Sequence, residues 1–250
     1  MNALRHLALA LAVATSAAQA QPHVLLDSAQ AAYARGAYAE ALALYDSVYT
    51  EQSSAGLLFN IGNCHMKLDD VPRAVLFYER AIRLQPGAED IRANLDHARH
   101  QVVDRMHELP SFTLGSLWDR LRGGRDADQW ARRALWACLL LFVCASAFLL
   151  IRQRMARRLL LGGAVLALAL TVLSTVLAAY RVNEIDDRSQ AIIMLPKVDV
   201  LGEPRPGATT VFVLHEGTKV SVLSEQGGWH EVKLASGSVG WAPPGALETI

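Results

Sequence analysis

Ala134–Ile151, ALWACLLLFVCASAFLLI, and Leu159–Tyr180, LLLGGAVLALALTVLSTVLAAY, hold no charged side chain. Each is close to the length at which a helix crosses a bilayer core, since roughly 20 residues at about 1.5 Å each cover it. Only Arg152–Gln153–Arg154–Met155–Ala156–Arg157–Arg158 separates them. So short a linker (152–158) predicts an antiparallel hairpin, with whatever precedes it and whatever follows it on the same side of a membrane. In the second stretch Gly163, Ala167, Thr171, Ser174 and Ala178 form a stripe of small residues. Such stripes let membrane helices pack closely, here the two arms of the hairpin against each other. Without an ionisable group in either arm, nothing points to a channel, a pump or a proton relay.

The flanks differ in charge. Residues 21–110 carry 8 basic and 12 acidic side chains, residues 111–158 carry 9 and 3, and residues 181–250 carry 6 and 9. The soluble parts are therefore acidic and the surplus of arginine lies beside the apolar arms, the reverse of a nucleic-acid binder. Cys64, Cys138 and Cys144 give no disulfide framework and read as small packing residues. Residues 1–20 read as a secretory signal, with Arg5, the apolar run Leu7–Ala14 and the small-x-small pattern Ala18–Gln19–Ala20. An exported N-terminus sends the first arm inward, 134–151, and the second outward, 159–180. The linker arginines then face the cytoplasm, as the positive-inside rule expects. The expected location is the bacterial inner membrane, multi-pass, with both soluble parts on the periplasmic side. Between the first soluble part and the hairpin, residues 110–133 read as a juxtamembrane amphipathic segment. Leu114, Leu117, Trp118 and Leu121 share a helical face there, and Trp130 and Trp136 with Arg132 and Arg133 mark the entry to the first arm.

Residues 22–109 are helical in pattern and repetitive. Tyr38–Tyr45 recurs as Val71–Tyr78, offset by 33 residues, a period typical of stacked helix pairs. Leu58, Ile61–Gly62, His65, Ala74, Tyr78, Ala81 and Pro86 resemble the tetratricopeptide (TPR) pattern, and Ala29, Gly36, Ala41, Tyr45 and Val48 form a weaker first unit. Gly62 and Ala74 allow close approach of two helices, Tyr78 fills the gap between pairs, and Pro86 ends the second helix. A third helix is expected over roughly Glu89–Leu109, with Ile91, Leu95, Ala98, Val102, Met106 and Leu109 on its apolar side and His97, His100, Asp104 and His107 opposite. In a TPR stack the first helix of each pair turns one side to a concave groove. By that resemblance Phe59, Asn60, Asn63 and Lys67, joined by His97 and His100, line a partner-binding groove. The His/Asp stripe also has the look of a metal site, but no second cluster converges on it, so no metal and no cofactor is expected.

Past Arg181–Gln190 the pattern turns to short β runs: 191–195, 198–201, 209–214, 218–224, 229–234 and 239–242. Turn signals such as Pro204–Arg205–Pro206–Gly207 and Gln226–Gly227–Gly228 separate them. The run Leu214–Leu223, Gly228–Trp229, Val232 and Gly240–Trp241 resembles the bacterial SH3-like domain, which implies a small barrel over 190–250. Trp229 and Trp241 are its core or rim supports, or its ligand-binding surface. The fold class expected overall is multidomain α plus β: TPR repeats, a transmembrane α-hairpin and a small all-β SH3-like barrel.

No G-x-x-x-x-G-K-[ST] loop, G-x-S-x-G elbow or H-E-x-x-H helix occurs, so nothing marks an enzyme. The order of signal, repeats, hairpin and β module, with Asn60–Ile61–Gly62–Asn63 through Pro86, Asn94–Leu95, Ala98–Arg99 and Phe212–Gly217, resembles the BatE-type proteins of the Bacteroides aerotolerance operon. That resemblance implies a non-catalytic envelope scaffold. Its partners would be membrane proteins carrying von Willebrand factor A domains and a MoxR-type ATPase. The alternative is a cell-wall sensor or anchor whose SH3-like domain binds peptidoglycan or a peptide.

Overall fold

A computed structural model of the chain describes residues 24–104, 123 and 125–250. The signal segment, His107 and the amphipathic stretch 110–122 lie outside the described residues. The described chain divides into two compact units. One holds residues 24–81, 90–104 and 189–250, and the other holds 82–89, 123 and 125–188.

The first unit opens with a helix over 24–34 (α1), then α2 (Tyr38–Tyr49), α3 (Ala55–Lys67), α4 (Val71–Leu84) and α5 (Glu89–Arg99). Local chemistry sets their ends. Gly36 turns the chain after α1 with a φ of 79°, a conformation open to glycine. The Ser54 side chain accepts a hydrogen bond from the Leu57 N–H and caps α3. Asp70 does the same for α4 through the Arg73 N–H, and Pro72 in the first turn gives up no helical hydrogen bond. Ala29, Ala32, Ala41, Tyr45, Val48, Leu57, Ile61 and Cys64 pack into one core. Burial pushes the Cys64 thiol up to about 11, so it stays protonated and acts as a small hydrophobe. The close approach expected at Gly62 is real: a Cβ there would lie 2.6 Å from the Tyr78 ring.

α5 ends at Arg99, ten residues short of the expected Leu109. The chain bends over 101–104 instead, because Val102 and Asp104 are engaged by the β module of the same unit.

That β module has strands β1 (Gln190–Ile193), β2 (Lys197–Leu201), β3 (Thr210–His215), β4 (Lys219–Gln226), β5 (Trp229–Lys233), β6 (Val239–Ala242) and β7 (Leu247–Thr249). They form one antiparallel sheet in the order β3-β2-β6-β5-β4-β1-β7. The six expected runs match β1 to β6. The short β7 was not foreseen; it pairs with β1 through Ala191↔Thr249 and Ile193↔Leu247. The sheet is open: β3 and β7 are its two edges and do not pair to close a barrel. Ile193, Val198, Val200, Leu214, Val220, Val232 and Ala242 make its core. Gly240 is needed where β6 meets β2, since a Cβ would lie 2.6 Å from Val200 Cγ1.

In the second unit α6 (Ala127–Leu150) and α7 (Arg154–Asp186) are long and apolar enough to cross a membrane. Both run beyond the apolar stretches read from sequence. The break between them is only Ile151–Gln153, and Arg154, Arg157 and Arg158 already belong to α7. The stripe of small residues lies along the packed side of α7: Ala167 and Ser174 are buried, with Leu177 beside them. A Cβ on Gly163 would lie 3.4 Å from Cys144 Sγ. Leu139, Phe142, Leu149, Leu161, Val165 and Val172 face outward.

Candidate functional site

The helical phase of α3 creates the site. Leu57, Leu58, Ile61, Cys64 and His65 point into the core, which turns Phe59, Asn60, Asn63 and Lys67 toward the other side. Three helices then meet at Asn63. Its Oδ1 accepts hydrogen bonds from the Tyr78 hydroxyl of α4 at 2.7 Å and from Asn94 Nδ2 of α5 at 2.9 Å. Two donors on one oxygen fix the orientation of the Asn63 amide. Burial raises the Tyr78 pKa far above its usual value, so the phenol stays a donor.

Beside this junction lies a cavity of about 440 Å³, lined by Tyr33, Asn63, Met66, Lys67, Asp69, Tyr78, Asn94, His97 and Gln101. Asp69 turns the chain between α3 and α4 with a φ of 64°, which a short carboxamide or carboxylate side chain tolerates. His97 sits 3.3 Å (Nε2 to Nε2) from Gln101. Of the six residues read as groove, the structure therefore brings Asn63, Lys67 and His97 together. Phe59 stands one layer away against the Tyr78 ring at 5.9 Å, Asn60 is half-buried, and His100 is exposed; none of the three lines the cavity. The cavity offers amides, a lysine, a carboxylate and an imidazole around an aromatic floor. That set suits the polar backbone and mixed side chains of an extended peptide. Among the described residues no group of three His, Cys, Asp or Glu is placed to hold a metal ion.

His65, at the position where the repeat pattern has tyrosine, is buried. It stacks on Phe77 at 5.4 Å and reaches Asp70 through Nδ1 at 3.2 Å. Burial, set against the raising effect of Asp70, holds its pKa below the usual value.

A second constellation was not legible as such. Asp104, read with the histidines as part of an exposed stripe, is half-buried and belongs to the β module. It accepts hydrogen bonds from the His215 N–H at 2.6 Å and from Thr218 Oγ1 at 2.9 Å, and its other oxygen lies 3.0 Å from His215 Nδ1. Burial pushes this carboxyl up, but the hydrogen bonds from His215 and Thr218 outweigh it and hold the pKa below the usual value. Glu79 of α4, only 3% exposed, binds Arg99 at 2.6 Å and Lys219 of β4 at 2.9 Å. Burial opposes its ionisation, and the two cations more than offset that. Arg80 reaches Glu248 and the Thr249 carbonyl of β7. Gly217, at a φ of 82°, has room for no Cβ, which would lie 2.6 Å from Val102 Cγ2. Helix repeats and sheet are thus joined by ion pairs, not merely tethered. The signal available in sequence was Glu79 itself, a charge on the otherwise buried face of Ala74, Val75, Tyr78 and Ala81.

In the sheet, Trp229 and Trp241 are both half-buried. Trp241 pairs with Glu231 and with Leu201. Trp229 lies two residues from Glu231, so both indoles occupy one face, opposite that of the buried Val232.

Residues 55–88 match the tetratricopeptide repeat family, covering α3, α4 and the Pro86–Gly87 turn. No curated protein matches the chain. A tetratricopeptide repeat is a protein–protein interaction module, and the cavity at Asn63, Lys67 and His97 lies at the matched repeat.

Proposed function

We propose that the protein is a membrane-anchored, non-catalytic scaffold of the bacterial cell envelope that holds a partner protein in the groove of its tetratricopeptide repeats. The observation that carries this reading is the cavity at Asn63, Lys67 and His97, inside the matched repeat. The two apolar helices are its anchor in the inner membrane, and both soluble parts stand on the periplasmic side. The β module is a relative of the bacterial SH3-like domain. By the resemblance to BatE-type proteins, the partners are membrane proteins with von Willebrand factor A domains, working with a MoxR-type ATPase. Two measurements test this. A periplasm-active reporter fused at Ser189 should be active; an inactive fusion overturns the topology. Affinity purification from solubilised membranes should bring down a von Willebrand factor A protein with the native chain and lose it with Lys67→Glu. Equal recovery removes the groove as the docking site.

The pair Trp229 and Trp241 on the face away from the sheet core favours a second reading, binding of peptidoglycan or a peptide by the β module. Retention of the full chain on purified wall material, abolished by Trp241→Ala, supports it; no retention of the native chain dismisses it.

A further inference from the structure

One wall of the cavity is built differently from the rest. Tyr33, Asn63, Met66, Lys67 and Tyr78 belong to α1, α3 and α4, whereas His97 lies in the last turn of α5 and Gln101 lies beyond its end. Gln101 Nε2 is 3.3 Å from His97 Nε2, so these two side chains stand together. α5 follows the two helix pairs α1–α2 and α3–α4. A longer array would bury its far side against a further repeat. Here the β module takes that place, and it does so on both sides of Gln101. Before Gln101, Arg99 binds Glu79 at 2.6 Å, and Glu79 in turn binds Lys219 of β4 at 2.9 Å. After it, Val102 is 7% exposed and fills the space over Gly217, whose N–H donates to the Ile193 carbonyl at 2.8 Å. Asp104 then accepts, on one oxygen, the His215 N–H at 2.6 Å and the hydroxyl of buried Thr218 at 2.9 Å. Hydrogen bonds to an ionised acceptor are the stronger kind. The chain between the two attachments is too short to move Gln101 independently of them.

We infer that the β module positions the partner groove: Asp104, bound to the β3–β4 turn, holds the His97–Gln101 wall in place beside Asn63 and Lys67, and capture of a partner protein depends on that attachment. Asp104, Val102 and Thr218 are positioning residues, since none of them lines the cavity. The inference deepens the scaffold reading of the groove and rests on it. It also gives the sheet a part in protein binding that needs no ligand of its own.

The test uses the full chain in living cells, with a photo-crosslinking probe at Lys67 and the adduct yield measured per copy of the chain. Asp104→Ala should lower the yield about tenfold, the effect of losing hydrogen bonds to a charged group. Asp104→Asn keeps an acceptor for the His215 N–H and the Thr218 hydroxyl, so it should restore most of the yield. Thr218→Val deletes one donor from the other side of the attachment and should lower the yield as well. Val232→Ala weakens the sheet core without touching the attachment, and its yield should match that of the native chain. Unaltered yields in Asp104→Ala and Thr218→Val, or an equal loss in Val232→Ala, overturn the inference. Amide exchange of the purified full chain in neutral detergent reads the wall without any partner. Exchange over residues 94–101 should quicken in Asp104→Ala and not in Asp104→Asn; unaltered exchange in Asp104→Ala also overturns the inference, whatever the adducts show. Absence of any adduct from the native chain overturns the groove reading itself, and the inference falls with it.

Discussion

Individual residues show where packing leaves no slack. At Gly62 a methyl group would meet the Tyr78 ring at 2.6 Å, and the ring is pinned by its hydrogen bond to Asn63. Gly62→Ala is therefore expected to destabilise the repeats by about 1–3 kcal/mol, the usual cost of overpacking a tight site. A thermal melt of the full chain checks this, and an unchanged midpoint would show that the helices can part. Tyr78→Phe keeps the packing and removes only the hydroxyl, so it should cost about 1 kcal/mol. Gly217→Ala combines a left-handed backbone with contact at Val102, and it should loosen the bend at 101–104 from the sheet. Faster amide exchange at His215, whose N–H is held by Asp104, is the readout; unaltered exchange would contradict the assignment.

Elements were legible wherever one local rule decided them. The helix pairs follow from the repeat spacing, the end of α4 from Pro86, and the strands from β runs broken by Gly and Pro. Three things were not. α5 stops at Arg99 because Asp104 finds donors on β3 and beside β4, and no periodicity within 89–109 reports a partner more than a hundred residues away. The sheet stays open because strand order depends on which edges meet, whereas turn residues report only where strands end. In the groove, helical phase located Asn63 and Lys67. It did not reveal that the Asn63 side-chain oxygen is taken by Tyr78 and Asn94, nor that His100 lies outside the cavity lining. The contact of repeats with sheet makes a testable claim of its own. Glu79→Gln removes the charge that Arg99 and Lys219 share. Both cations are partly exposed and can rehydrate, so the loss should be about 1–3 kcal/mol. A double-mutant cycle with Lys219→Met should return a favourable coupling, and strict additivity would deny the link.

For the molecule as a whole, the repeats and the β module form one compact unit that should respond to acid together. Glu79 and Asp104 both have pKa values held below the ordinary carboxylate range. The unfolded chain thus binds more protons than the folded one between the lowered and ordinary values, and stability rises with pH there. The contribution is complete above the ordinary range, about pH 4, and is lost as pH falls through the lowered values. Buried His65, whose pKa is also lowered, starts to withdraw stability earlier, below its ordinary value of 6.5. Melts of the full chain from neutral pH down to about 3 should therefore show a falling midpoint, with the fall below about pH 4 blunted in Glu79→Gln and Asp104→Asn. A pH-independent midpoint contradicts the ion-paired interface. The proposal that matters most is that the repeat groove holds an envelope partner. Its most direct measurement is photo-crosslinking in living cells from a probe at Lys67, which lines the cavity without taking part in the Asn63 junction. A probe at Leu223, exposed on β4, is the control. An adduct that contains a membrane protein with a von Willebrand factor A domain is expected from Lys67 and not from Leu223. Absence of an adduct from Lys67, or the same adduct from both positions, would contradict it.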